Sequence, residues 1–170
     1  MRNRRQNPCY LLRGGQTVPR GTSQNGQPAN SNADSPDAGS RCYFTGQGSV
    51  NGSVGEADVD GGPTYLISPV INLAGSNAII EYSRWFYNGT TLNDAFWVEV
   101  SNNNGATWVR VETVNFTGAE NRWVQRSFRV GDYVTPTAQV RVRFGTSDSP
   151  NDSIVEAGVD HFVVRRIVCP

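Results

Sequence analysis

The chain contains no lysine: all 15 basic residues are arginine, and against 15 acidic residues they leave a formal charge of zero. Without a net field, nothing in the composition recruits nucleic acid or an anionic membrane. No apolar stretch reaches the roughly 18 residues that a membrane helix requires. Histidine occurs once, at position 161, so a histidine-assisted nucleophile has a single candidate. Its setting, Val159-Asp160-His161-Phe162-Val163-Val164, reads as strand. The patterns G-x-S-x-G, H-E-x-x-H and G-x-x-x-x-G-K-[ST] are absent, and nothing singles out a carboxylate pair for glycoside hydrolysis. The expectation is a protein that is not an enzyme.

Cysteine is scarce as well. Cys9, Cys42 and Cys169 form no C-x-x-C pair, which argues against a zinc or thioredoxin-like site. Cys42, in the run Cys42-Tyr43-Phe44, reads as a small buried hydrophobe. Cys9 and Cys169 sit near opposite ends, which often meet in sandwiches, so a disulfide between them is a second reading. Met1-Arg2-Asn3-Arg4-Arg5 is similar to a signal-peptide start, but only Cys9 to Leu12 follows as an apolar run, too short for a secretory core. Export is not legible there.

What is abundant points to strands. Gly, Asn, Thr, Ser and Val dominate, while the helix-filling residues are sparse. Residues 1–19 form an atypical N-terminal segment, and 20–168 a single domain. Residues 14–40 hold almost no large apolar group and are expected to form a long polar surface loop. Period-two alternation and turn residues then mark eight strands, at 42–45, 64–70, 78–87, 95–101, 107–114, 122–130, 139–145 and 154–168. Eight strands fit an all-β, two-sheet antiparallel sandwich of jelly-roll topology. Ser101-Asn102-Asn103-Asn104-Gly105-Ala106-Thr107-Trp108 is similar to an Asp-box hairpin with Asn in the Asp position, a folding device rather than a site.

Two features could carry binding. The acidic, Gly-rich loop Glu56-Ala57-Asp58-Val59-Asp60-Gly61-Gly62 offers the oxygen donors that Ca²⁺ takes, although its spacing is not that of an EF-hand and an ordinary turn fits it equally. Aromatic residues cluster in 82–97, where alternation sets Trp85 and Tyr87 opposite Tyr82 and Phe86. One set must be core; the other either covers the sheet or forms a stacking platform for sugar rings. Arg84, Trp85, Tyr87 and Trp97 are the candidate ligand contacts. N-x-[ST] sequons begin at Asn51, Asn88, Asn115 and Asn151.

An ordered series carries a resemblance: Arg20-Gly21-Thr22, residues 39–46 (GSRCYFTG), 54–62 (VGEADVDGG) and 66–73 (LISPVINL). It continues with Arg84-Trp85-Phe86, 123–128 (WVQRSF), 132–137 (DYVTPT), 139–144 (QVRVRF) and 155–160 (VEAGVD). From about residue 20 to 164 the chain resembles the MAM-like, galactose-binding-like jelly-roll domains of secreted bacterial proteins, a type of accessory domain appended to extracellular peptidases. The resemblance implies an extracellular setting and a structural Ca²⁺ held by Asp58, Asp60 and Asp160. His161 stands where relatives carry a second Asp, and the usual first strand is replaced by the Arg-rich, Gly-rich start.

Two functions follow as expectations. One is a non-catalytic, calcium-stabilised module that binds a glycan or cell-surface polymer. The alternative is a self-associating subunit of an extracellular filament or surface layer, joined by β-strand addition at an edge that a missing strand leaves open.

Overall fold

The computed structural model describes residues 29–31, 33–46, 53, 55, 59–89, 94–115, 120–150 and 153–167. The strands are β1 (Tyr43–Phe44), β2 (Gly61–Ile67), β3 (Asn77–Asn88), β4 (Phe96–Ser101), β5 (Val109–Val114), β6 (Glu120–Arg129), β7 (Arg141–Asp148) and β8 (Val155–Ile167), with one 3₁₀ turn at Val130–Asp132. They form two four-stranded antiparallel sheets, ordered β1-β8-β3-β6 and β2-β7-β4-β5. Among the described residues, only β4 and β5 are joined by a tight hairpin within one sheet. The expected two-sheet sandwich of eight strands is what the chain forms.

Alternation decides which side chains lie between the sheets. Ala78, Ile80, Tyr82 and Phe86 of β3 meet Phe96, Val98 and Val100 of β4, Val142 and Phe144 of β7, and Val155, Ala157 and Val159 of β8. Rings interlock at the centre, with Tyr82–Phe144 centroids at 5.2 Å and Phe86–Phe96 at 6.1 Å. A polar tie crosses this core. Glu112 of β5 accepts the Tyr82 hydroxyl at 2.6 Å, Arg84 Nε at 2.9 Å and Arg126 Nε at 3.2 Å, so one carboxylate of the second sheet holds three donors of the first. Burial, then the hydrogen bond to Glu112, pushes the Tyr82 phenol well above its usual pKa.

The hairpin follows the motif residue by residue. Ser101 Oγ accepts the N–H groups of Asn103 at 3.2 Å and Gly105 at 2.9 Å, and Asn103 Oδ1 accepts the N–H of Thr107 at 2.9 Å. Asn104 and Gly105 take φ of 58° and 90°. A Cβ on Gly105 would stand 3.0 Å from the Trp108 ring, which covers the turn.

Three sequence expectations need correction. Residues 29–31 and 33–39 are not simply a surface loop, because they lie across the outer face of the first sheet and bury Ala29, Asn30, Ser31 and Ser35. Small polar residues suffice there because the indoles beneath supply donors: Trp85 Nε1 donates to the Ala29 carbonyl at 2.9 Å and Trp123 Nε1 to the Ala33 carbonyl at 2.9 Å. Strand β2 begins at Gly61, inside the expected acidic loop, where Gly61 pairs with Asp148 and a bulge precedes Thr64. Strand β1 shrinks to two residues, paired with Gly158 and Val159 alone. Cys9, Cys169 and the N-terminal segment 1–19 lie outside the described residues.

Candidate functional site

A bulge in β8 builds the first site. Glu81 pairs with Val163 and Ser83 with Asp160, so His161 and Phe162 together face Tyr82, with His161 at φ 50°. This turn presents Asp160 and His161 to the overlying segment. Ser35 donates its hydroxyl to Asp160 Oδ2 at 2.6 Å, and its N–H to Asp34 Oδ1 at 3.0 Å. Asp37 takes the Gly39 N–H at 2.5 Å on one oxygen and faces His161 Nδ1 at 3.3 Å with the other. Asp34, Asp37 and Asp160 thereby each offer an oxygen within 4.8 Å of the others.

Electrostatics expose the tension in this group. Asp34 Oδ2 is buried without a hydrogen-bond donor. Burial first, then the hydrogen-bonded approach and charge of Asp160 and the charge of Asp37, raise the Asp34 carboxyl from 3.8 to about 6. Carboxylates this close need a proton or a cation between them, and an all-oxygen donor set of hard anions suits Ca²⁺. Burial, reinforced by Asp34 and Asp160, also pushes the neighbouring Cys42 thiol up to about 12. Among the described residues no hydroxyl or thiol hydrogen-bonds to the His161 ring, whose partner is Asp37.

The second surface is the outer face of the second sheet. In register across the strands stand Tyr65, Gly145, Trp97 and Thr113, and two residues along stand Ile67, Arg143, Glu99 and Arg110. The Trp97 ring lies over Gly145, where a Cβ would come within 2.5 Å of it, so only glycine seats the indole. Tyr65 meets Trp97 edge-on at 5.9 Å, and the Arg110 guanidinium sits 5.1 Å from its centroid. Arg143 is stacked between Tyr65 at 4.5 Å and Trp108 at 4.3 Å, and its Nε donates to Glu99 at 2.5 Å.

The residues expected from sequence fall in separate places. Asp160 joins Asp34 and Asp37, two residues that the polar composition of 14–40 concealed. Asp60 is exposed beside the start of β2 and outside this group, and Asp58 lies outside the described residues. Of the four candidate ligand contacts, Arg84 points between the sheets to Glu112 with its side chain 3% exposed, and Trp85 and Tyr87 are buried on the outer face of the first sheet, Trp85 beneath residues 29–33. They cover that sheet instead of offering an open platform. Trp97 alone of the four sits on a partly open face. Tyr65, Arg110 and Arg143 were missed; alternation in 64–70 and 139–145 sets Tyr65 and Arg143 opposite the core residues, whereas a register shift in the β4–β5 pairing takes Arg110 out of phase with Glu112 and Val114. The sequon at Asn88 is closed to modification in the fold, because Asn88 is buried and its Nδ2 donates to the Asp94 carbonyl at 3.2 Å. Asn115 is exposed, while Asn51 and Asn151 lie outside the described residues.

Fold and surfaces together define an antiparallel β-sandwich module of jelly-roll type. No protein-family model matches the sequence, and no curated protein matches it either. Among solved structures it is similar to a family 16 carbohydrate-binding module (13% identity over 75% of this chain and 77% of that one, TM-score 0.41). It is also similar to the K3 adhesin domain of Lys-gingipain from Porphyromonas gingivalis W83 (15%, 76% and 80%, TM-score 0.43) and to a CBM4 structure (14%, 62% and 59%, TM-score 0.35). At such identities and TM-scores the likeness says nothing of a ligand and leaves the MAM-like resemblance untested.

Proposed function

We propose that the chain is a non-catalytic, extracellular glycan- or surface-binding module stabilised by Ca²⁺. The observation that carries this reading is Trp97, a half-buried indole seated on Gly145 with Tyr65 at its edge and the exposed Arg110 guanidinium over its ring, because a fixed ring on a rigid sheet beside an exposed donor is what a sugar face stacks on. Asp34, Asp37 and Asp160 would hold the cation, which supplies the positive charge that three converging carboxylates lack and ties residues 34–37 to β8. A glycan array probed with the chain and with Trp97→Ala tests the binding reading. Glycan signals that Trp97→Ala abolishes are expected; a blank array, or signals indifferent to the substitution, would overturn it.

A second reading, a subunit that assembles by strand addition, is favoured by the edge of β8. Among the described residues, 162–167 have no strand neighbour on the side where β1 pairs. Size-exclusion chromatography over a hundredfold concentration range tests this reading. Large oligomers support it, and a strict monomer removes it.

A further inference from the structure

The outer face of the second sheet holds a charge pattern that sugar stacking on Trp97 does not use. Arg143 and Arg110 stand in the row beside Trp97, about 7 Å further along the strands. Arg141, opposite Ser101, extends the set, fixed by Asn104 Oδ1 at 2.6 Å and the Ser68 carbonyl at 2.8 Å. Glu99 is the one carboxylate among them, shared by Arg143 Nε and by Arg110 at 3.3 Å. Among the described residues, three guanidiniums against one carboxylate leave two positive charges on this face, in a chain whose formal charge is zero.

The arginines are also prepared for a ligand. Arg143 is clamped between two rings and held at Nε, so its side-chain order is already set before anything binds. Its two terminal nitrogens donate no hydrogen bond to the described residues and are not sealed from solvent. Arg110, 46% exposed on its side chain, lies over the Trp97 ring with one terminal nitrogen on Glu99, on the same face as Arg143. A planar guanidinium with two open N–H donors fits a carboxylate or a sulfate.

We infer that this face binds an acidic polysaccharide, one carrying carboxylate or sulfate groups, with a sugar ring on Trp97 and the adjacent anionic group on Arg143 and Arg110. The inference rests on the reading of Trp97 as a sugar platform and names the chemical class of its ligand. Single-stranded nucleic acid also pairs rings with arginines, but it uses successive stacking rings along a positive groove. Here Arg143 fills the space between Tyr65 and Trp108, so no succession of bare rings is left for bases among the described residues.

Affinity electrophoresis and calorimetry with polygalacturonate, dextran sulfate, neutral dextran, neutral galactan and oligo-dT, each at low and high salt, test the inference on the wild type, Trp97→Ala, Arg143→Gln and Arg110→Gln. At least one acidic polymer should bind about tenfold more tightly than either neutral polymer, and weaken with salt. Arg143→Gln should lower that affinity about tenfold, leaving binding to neutral polymers unchanged. Arg110→Gln, at an exposed position, keeps the test decisive if Arg143→Gln melts early. Preference for polygalacturonate identifies uronates, and preference for dextran sulfate identifies sulfate esters. Equal binding of neutral and acidic polymers, or Arg variants that bind like wild type, overturns the inference while the module reading stands. Tightest binding to oligo-dT, or no binding to any polymer, overturns both.

Discussion

At the scale of single residues, the carboxylate of Glu112 ties three donors of the facing sheet. Arg84 is charged and its side chain is 3% exposed, so its stability in the core is conditional on Glu112. Glu112→Ala strands that charge together with the Tyr82 hydroxyl, and the expected destabilisation is about 3–5 kcal/mol in urea unfolding. Exchange of the whole group for apolar residues of similar volume should cost far less, which separates the broken pair from mere loss of attraction. Cys42 gives a pH test of the same kind. With its pKa pushed up to about 12, the thiolate fraction at pH 8 is about one in ten thousand, against about a quarter for a free cysteine. The raised value favours the neutral thiol in the fold, so alkylation by iodoacetamide, followed by peptide mass mapping, should be slow at pH 8 and rise about tenfold per pH unit until the protein unfolds. Rapid labelling of Cys42 in the native protein would show that the thiol is not held in this environment.

At the scale of elements, segment 29–39 and strand β8 are joined mainly through acids, and the expected effect of a cation follows. At a hundredfold excess over its Kd, a ligand that binds only the native state adds about 2.7 kcal/mol. Calcium should therefore raise the melting temperature of the wild type in calorimetry and leave Asp160→Asn unchanged; equal melts in calcium and chelator would remove the metal from the account. Element boundaries show how far sequence reasoning reaches. Strands whose faces alternate cleanly, such as 95–101, were legible to within a residue, and the Ser101 to Trp108 turn was legible because each of its hydrogen bonds has a residue type that demands it. Segment 29–39 was not, since Ser, Asn and Ala carry no periodic signal and are buried there only because Trp85 and Trp123 happen to lie beneath with N–H groups to satisfy.

At the scale of the whole molecule, a sandwich has two outer faces, and this one treats them differently. The first sheet is roofed by the chain's own segment 29–39, and the second is left partly open with its arginines stacked on rings. Alternation announced that Trp85 and Tyr87 oppose Tyr82 and Phe86, but a period-two pattern cannot tell a roofed face from an open one. That distinction needs the long-range placement of a segment some 50 residues upstream. The same blindness hid the cluster of three carboxylates, whose members at 34, 37 and 160 are close only once the roof is laid.

The split of the four tryptophans between the two faces gives the protein two separate optical gauges. Trp85 and Trp123, 6.2 Å apart under the roof, report on segment 29–39, and Trp97 and Trp108 report on the open face. Lifting the roof in chelator should move emission to longer wavelength in a Trp97→Phe/Trp108→Phe protein and leave a Trp85→Phe/Trp123→Phe protein steady. A polymer settling on the open face should change the fluorescence of the second protein and not the first, so that one spectrometer reads both surfaces independently.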